Sequence, residues 1–166
     1  MFEEALARLE EGLAIQRHIH PERHSTEGMF LNGISCVHCY QGKLEDGLTM
    51  YKKALRIYKQ TVGPQSVMAA HALNNMANVL FKQGKYDKAL VKYEKALTII
   101  RAALGDEHDE VAHTLYGIAR CKAWVGDLEG ALVSVREAHR IFKKRGISHG
   151  TAHDAAALLA ILEGSG

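Results

Sequence analysis

The residues best equipped for chemistry in this chain are its cysteines, histidines and paired carboxylates. Cys36-Val37-His38-Cys39 contains a CxxC, and His18, His20 and His24 lie close together among ten histidines. A structural zinc centre needs four convergent thiolate or imidazole ligands. No second cysteine pair follows at zinc spacing, and two cysteines three apart share one helix face, where small residues serve packing. A redox role for Cys36 and Cys39 would want a βαβ setting, and none surrounds them. Glu3-Glu4 and Glu45-Asp46 could be acid–base pairs, but they stand at helix starts, where the helix dipole favours negative charge. There is no Gly-rich phosphate loop after a strand, no His-Glu-x-x-His and no nucleophile elbow. The sequence therefore points away from an enzyme, with no cofactor and no metal expected.

What the chain repeats is a hairpin. Residues 69–105, AAHALNNMANVLFKQGKYDKALVKYEKALTIIRAALG, read as two amphipathic helices joined at Gln83-Gly84-Lys85. Aligned on itself, the chain shows a period of 42: Gly42, Gly84 and Gly126 fall in register, as do Ala5, Gly47, Ala89 and Ala131, and Ile15, Ile57, Ile99 and Ile141. In the other half of the unit Leu31, Leu73 and Leu115 recur, with Ile34, Met76 and Ile118, then Ser35, Ala77 and Ala119. Glycine at the turn suits a helix C-cap. Small residues let helices approach, and large apolar ones fill the space around them.

With A for the helix before the glycine and B for the one after it, the order is B, A-B, A-B, A-B, A. The spacing predicts one all-α array over residues 1–163. It comprises a B helix at 2–19, repeats at about 25–61, 66–103 and 108–145, a final A helix at 150–163, and a flexible tail at 164–166. His20-Pro21, Gly63-Pro64, Gly105-Asp106 and Gly146 mark the B-to-A connections.

Composition agrees with a globular helical chain. The 166 residues are 47% apolar and 24% charged, with only two prolines and a net charge of +2, too small by itself to imply nucleic acid. Three cysteines, Cys36, Cys39 and Cys121, cannot all pair within the chain, which suggests a reducing compartment. The acidic, amphipathic start MFEEALARLEEG is unlike a leader peptide, and the longest apolar run, Ala155 to Leu162, is too short to span a bilayer. A cytoplasmic protein is expected, with no membrane insertion.

The series Leu73, Met76, Ala77, Gly84, Tyr86, Ala89, Tyr93, Ala96, Leu97 resembles the tetratricopeptide repeat, and the resemblance covers essentially the whole chain. HEAT-type repeats have a similar length, but the Gly-Tyr, Ala-x3-Tyr and Ala-Leu spacing favours the tetratricopeptide reading. The common tetratricopeptide period is about 34 rather than 42. The longer helices, with Leu-Asn-Asn-Met-Ala and Gln-Gly-Lys-Tyr, look like the variant found in kinesin light chains. The resemblance implies a right-handed superhelix of about eight antiparallel helices, whose A helices line a concave peptide-binding face.

On such A helices the exposed positions lie 3, 4 and 7 apart, opposite the Leu-Met-Ala stripe. They are Met29, Asn32, Cys36 and Tyr40 in the first, His71, Asn74, Asn75, Asn78 and Lys82 in the second, and His113, Tyr116, Arg120 and Trp124 in the third. Asn can bond both groups of an extended backbone, Tyr and Trp add rigid contact area, and Arg with Lys suits a carboxylate. The bland alternative is a solvated polar surface. Three Asn in one helix argue against that, because Asn is a mediocre helix former. Kinesin light chains resemble this arrangement in holding short acidic, aromatic-containing peptides with groove Asn, Arg and Lys. Carried over, the candidates are Asn74, Asn78, Lys82 and Arg120. The carboxylate clamp for chaperone tails fits worse, since Cys36 and Gly117 stand where it needs polar or basic residues.

Two further features carry alternatives. Arg136, Arg140, Lys143, Lys144 and Arg145 could touch RNA or anionic lipid, but a solvated helix end explains them better. The chain starts on an unpaired B helix and ends on the A helix 150–163, whose run 155–162 is apolar where a solenoid normally carries a polar cap. Either the array continues beyond this chain, or terminal helices of different molecules meet and form a homo-oligomer.

Overall fold

The computed structural model describes residues 1–164. Of the tail expected at 164–166, Gly164 closes the last helix, and residues 165 and 166 lie outside the described residues. Among the described residues there are eight helices and no strand. They are α1 (Phe2–Ile19), α2 (Ser25–Tyr40), α3 (Leu44–Thr61), α4 (Val67–Lys82), α5 (Tyr86–Leu104), α6 (Asp109–Trp124), α7 (Leu128–Lys144) and α8 (Thr151–Gly164). The fold is an all-α helical repeat.

Local chemistry sets the helix ends. Helix α4 stops where Gly84 takes φ +73°, and the N–H groups of Gly84 and Lys85 reach back to the carbonyls of Phe81 and Leu80, each at 2.9 Å. This is the Schellman closure, which needs a left-handed residue. The N–H groups of Lys43 and Asp127 make the same 2.9 Å return to His38 and Lys122. At the starts, Ser66 Oγ accepts the Ala69 N–H at 3.2 Å, and the Nδ1 atoms of His24 and His108 accept the N–H groups of Thr26 and Glu110, also at 3.2 Å. Positions 24, 66 and 108 are one period apart, so two of the histidines are N-caps.

Contacts divide the chain into two compact units, Met1–Val79 and Leu80–Gly166, and the division falls inside α4. In the first unit α2 packs between α1 and α3. Leu48, Tyr51, Leu55 and Tyr58 form the buried stripe of α3, while Lys52, Lys53, Arg56 and Lys59 lie on its exposed side. Leu31 and Ile34 of α2, which packs on α3, are buried too, as are Leu73 and Met76 of α4 in the same unit. Burying each such side chain contributes about 1.5–3 kcal/mol. Burial, assisted by nearby Cys36 and Cys39, pushes the Tyr51 hydroxyl well above its ordinary range.

The second unit has α6 between α5 and α7, with α7 also packed on α8. Tyr93, Ile100, Val111, Leu115, Val135, Ile141 and Phe142 form its core. Gly117 makes room for Tyr93: a Cβ there would lie 2.6 Å from the phenol ring. Burial raises the Tyr93 hydroxyl, and raises the Cys121 thiol to about 11. Four of the five cations at the end of α7 have acidic partners. Arg140 and Lys144 meet Glu107 at 2.9 and 3.3 Å, Arg145 meets Asp109 at 3.8 Å, and Arg136 meets Glu163 at 3.0 Å. The bond from Arg140 is the main cause that holds the Glu107 carboxyl below its ordinary range.

Candidate functional site

The A-helix positions singled out by spacing divide between the two units. In the first, His71 and Asn78 of α4 are exposed, while Asn74 and Asn75 are half-buried. The Asn75 amide donates to Asn32 Oδ1 at 3.1 Å, so Asn75 is turned toward α2 and ties the two A helices together. Cys36 is half-buried and hydrogen-bonded with Tyr51. Met29 is exposed, and so is Tyr40, whose ring stacks on Phe2 with centroids 6.5 Å apart and planes 10° from parallel.

In the second unit the structure brings together more than spacing indicates. The Arg120 guanidinium carbon lies 3.9 Å from the centroid of the Phe81 ring and 5.5 Å from that of Tyr116. Phe81 meets Tyr86 edge-on at 5.1 Å, and Tyr86 stacks on Trp124 at 5.3 Å with planes 12° from parallel. The resulting row runs Trp124, Tyr86, Phe81, Arg120, Tyr116. It draws on the last turn of α4, the first of α5 and the C-terminal half of α6. Such pairs add roughly 0.5–1.5 kcal/mol each beyond area burial, and a cation over a ring adds a similar amount. Burial raises the Tyr116 hydroxyl, against a lowering influence from Arg120.

Trp124 is 66% exposed although one of its faces is covered by Tyr86. It is therefore held, yet open to a partner. Lys82, next to Phe81 in the chain, is exposed. His113 is exposed, and its ring meets Phe142 edge-on at 5.0 Å. Phe81 and Tyr86 were not among the residues expected at the site. A signal for them existed: Phe2 and Tyr40 lie two periods before Tyr86 and Trp124, and both pairs stack.

Among the described residues no group of three or more His, Cys, Asp or Glu side chains could hold a metal ion. No helix there is long and apolar enough to cross a membrane. Cys36, Cys39 and Cys121 form no disulfide among the described residues.

A tetratricopeptide repeat family matches residues 25–97 and 68–144. No curated protein sequence matches the chain. Solved structures of similar fold include BtubC (BKLC) from P. vanneervenii, with a TM-score of 0.85 and 17% identity over 97% of this chain and 65% of that one. The nearly identical TPR-like repeats assigned to a kinesin light chain of Podosopora anserina give 0.77 and 18%, over 97% of this chain and 77% of that one. The apo form of RapI gives 0.85 and 18%, over 99% of this chain and 58% of that one. The chain thus spans about two thirds or less of BtubC and RapI.

Proposed function

This chain belongs to the tetratricopeptide repeat family, and we propose from that premise that it is a non-enzymatic scaffold binding a segment of a protein partner. The observation that carries the reading is Trp124, exposed yet braced on Tyr86, beside an Arg120 held between Phe81 and Tyr116. Exposed aromatic and Arg side chains on fixed supports are what binding hot spots are made of. The candidate positions, taken unit by unit, are Asn32, His71, Asn74, Asn75 and Asn78 within the first and, separately, Lys82, His113, Tyr116, Arg120 and Trp124 within the second. Similarity in fold to kinesin light chain-type repeats favours a short acidic segment carrying an aromatic residue. Three cysteines, which cannot all pair within the chain, favour a cytoplasmic setting.

The test is fluorescence anisotropy with a labelled acidic peptide that carries one Trp. Asn78→Ala with Arg120→Ala should weaken binding at least tenfold at unchanged helicity. Unchanged affinity counts against the reading.

A second reading, self-association through terminal helices, draws on Ile15. It is 51% exposed, whereas its register mates Ile57, Ile99 and Ile141 are 6%, 2% and 0% exposed. In α8, Ile161 is 63% exposed. Light scattering that shows a strict monomer at all concentrations would remove this reading.

A further inference from the structure

The exposed side of α3 is cationic and unneutralised. After Asp46 the helix carries Lys52, Lys53, Arg56 and Lys59 and no acid. None of these four has an ion-pair partner among the described residues. Lys52, Arg56 and Lys59 line a cleft of about 320 Å3 together with Leu55 and Gln60. Arg23, in the loop before α2, donates to Gln60 Oε1 and adds a fifth cation at the end of the same row. Glu22, the acid beside Arg23 in the chain, makes no ion pair with any of them among the described residues.

Helix α7 supplies the control, two periods on. Lys52, Arg56 and Lys59 correspond to Arg136, Arg140 and Lys143, and Gln60 corresponds to Lys144. There Glu107 binds Arg140 and Lys144, and Glu137 binds Arg101 at 2.7 Å. The register mates of those two acids are Arg23 and Lys53. At these two acidic positions of the α7 region the α3 region has a cation instead, and Glu163 and Asp109, which also pair with α7 cations, correspond to the uncharged Val79 and Ser25. Holding like charges together without a partner costs free energy, and a bound anion would recover it.

We propose that the exposed face of α3, with Arg23, is a docking surface for an acidic polypeptide segment, distinct from the A-helix positions described above. Lys52 to Lys59 spans about 10 Å along the helix axis. Alternate side chains of an extended chain are about 7 Å apart, so two carboxylates on one side of a strand fall within the row. Nucleic acid is disfavoured because no aromatic ring lines the cleft to stack a base. A membrane surface is disfavoured because Leu55, the apolar residue lining the cleft, is 8% exposed and has nothing to insert.

The experiment is anisotropy of fluorescein-labelled octaglutamate with the whole chain at low ionic strength, repeated at about 0.15 M. The wild type should bind, and more weakly in salt. Lys52→Gln with Arg56→Gln and Lys59→Gln should weaken binding about tenfold or more, while Arg136→Gln with Arg140→Gln and Lys144→Gln should change it less than about twofold. Arg23→Gln leaves α3 intact, guards against misfolding of the triple variant, and should weaken binding about threefold. The Lys52, Arg56 and Lys59 triple variant should keep the affinity for the Trp-bearing acidic peptide within about twofold, which separates this surface from the A-helix positions. Equal losses from both triple variants, no loss from Arg23→Gln, or tighter binding of octauridylate or phosphatidylserine vesicles than of octaglutamate would overturn the proposal.

Discussion

Replacing Gly117 with Ala tests whether the approach of α5 to α6 is as close as described. The added methyl would lie 2.6 Å from two ring atoms of Tyr93 and 3.0 Å from a third, against 3.4–4 Å for ordinary contact. Tyr93 is only 2% exposed, so the ring has nowhere to swing and must shift by most of an ångström. Overpacking of this kind costs about 1–3 kcal/mol. Ala in place of Gly inside a helix returns about 1 kcal/mol. The net expectation is a loss on the order of 1 kcal/mol and at most about 2, or roughly 2–4 °C in melting temperature for each kcal/mol in a chain of this size. Gly33→Ala is the matched control. Its methyl would meet only the flexible end of half-buried Leu9, at 3.0 Å, so the propensity gain should survive and the protein should gain up to about 1 kcal/mol. Urea unfolding followed by circular dichroism measures both. If Gly117→Ala stabilises as much as Gly33→Ala does, the reasoning from close approach fails.

Tyr86→Ala should uncover the buried face of Trp124, the chain's single tryptophan, and shift its emission to the red, with a stability loss of about 0.5–1.5 kcal/mol from the lost stack; unchanged emission would contradict the stacking. The cost of removing Asn75 and Asn32 separately should exceed that of removing both by about 0.5–1.5 kcal/mol, measured by a double-mutant cycle in urea. Stability should fall as pH rises from about 9 to about 11. The Cys121 thiol is raised in the fold, so its contribution is complete below the unfolded pKa and lost through the folded one, on the order of 2 kcal/mol. Raised Tyr51, Tyr58 and Tyr93 hydroxyls carry the loss further upward. A flat alkaline profile in thermal melts would refute that.

The helical repeat was legible because its signals are local and redundant. Gly84 ends α4 for a reason visible in one residue, and the stripe Leu48, Tyr51, Leu55, Tyr58 declares the buried face of α3 by spacing alone. The site was legible only in outline. Spacing puts Asn75 and Asn74 on neighbouring positions but does not reveal that the Asn75 amide is engaged by Asn32, which comes from another helix 43 residues away. Arg120 reads as a free cation on α6. Its setting depends on Phe81, and no rule of i, i+4 spacing links the two. Charge pairing was equally hidden from spacing. The cluster at the end of α7 draws the eye but is largely neutralised, whereas the shorter row on α3 is not, because the deciding residues, Glu107 and Arg23, sit in distant loops.

The turns at Gly42, Gly84 and Gly126 have φ of +79°, +73° and +87° and open space around them, so only backbone chirality bars a side chain there. A mirror-image amino acid prefers the positive sign of that angle. D-alanine installed at these corners by peptide ligation should fit where L-alanine strains. It would also stiffen the unfolded chain more than the folded one, so the protein should become more stable through three atoms that touch nothing.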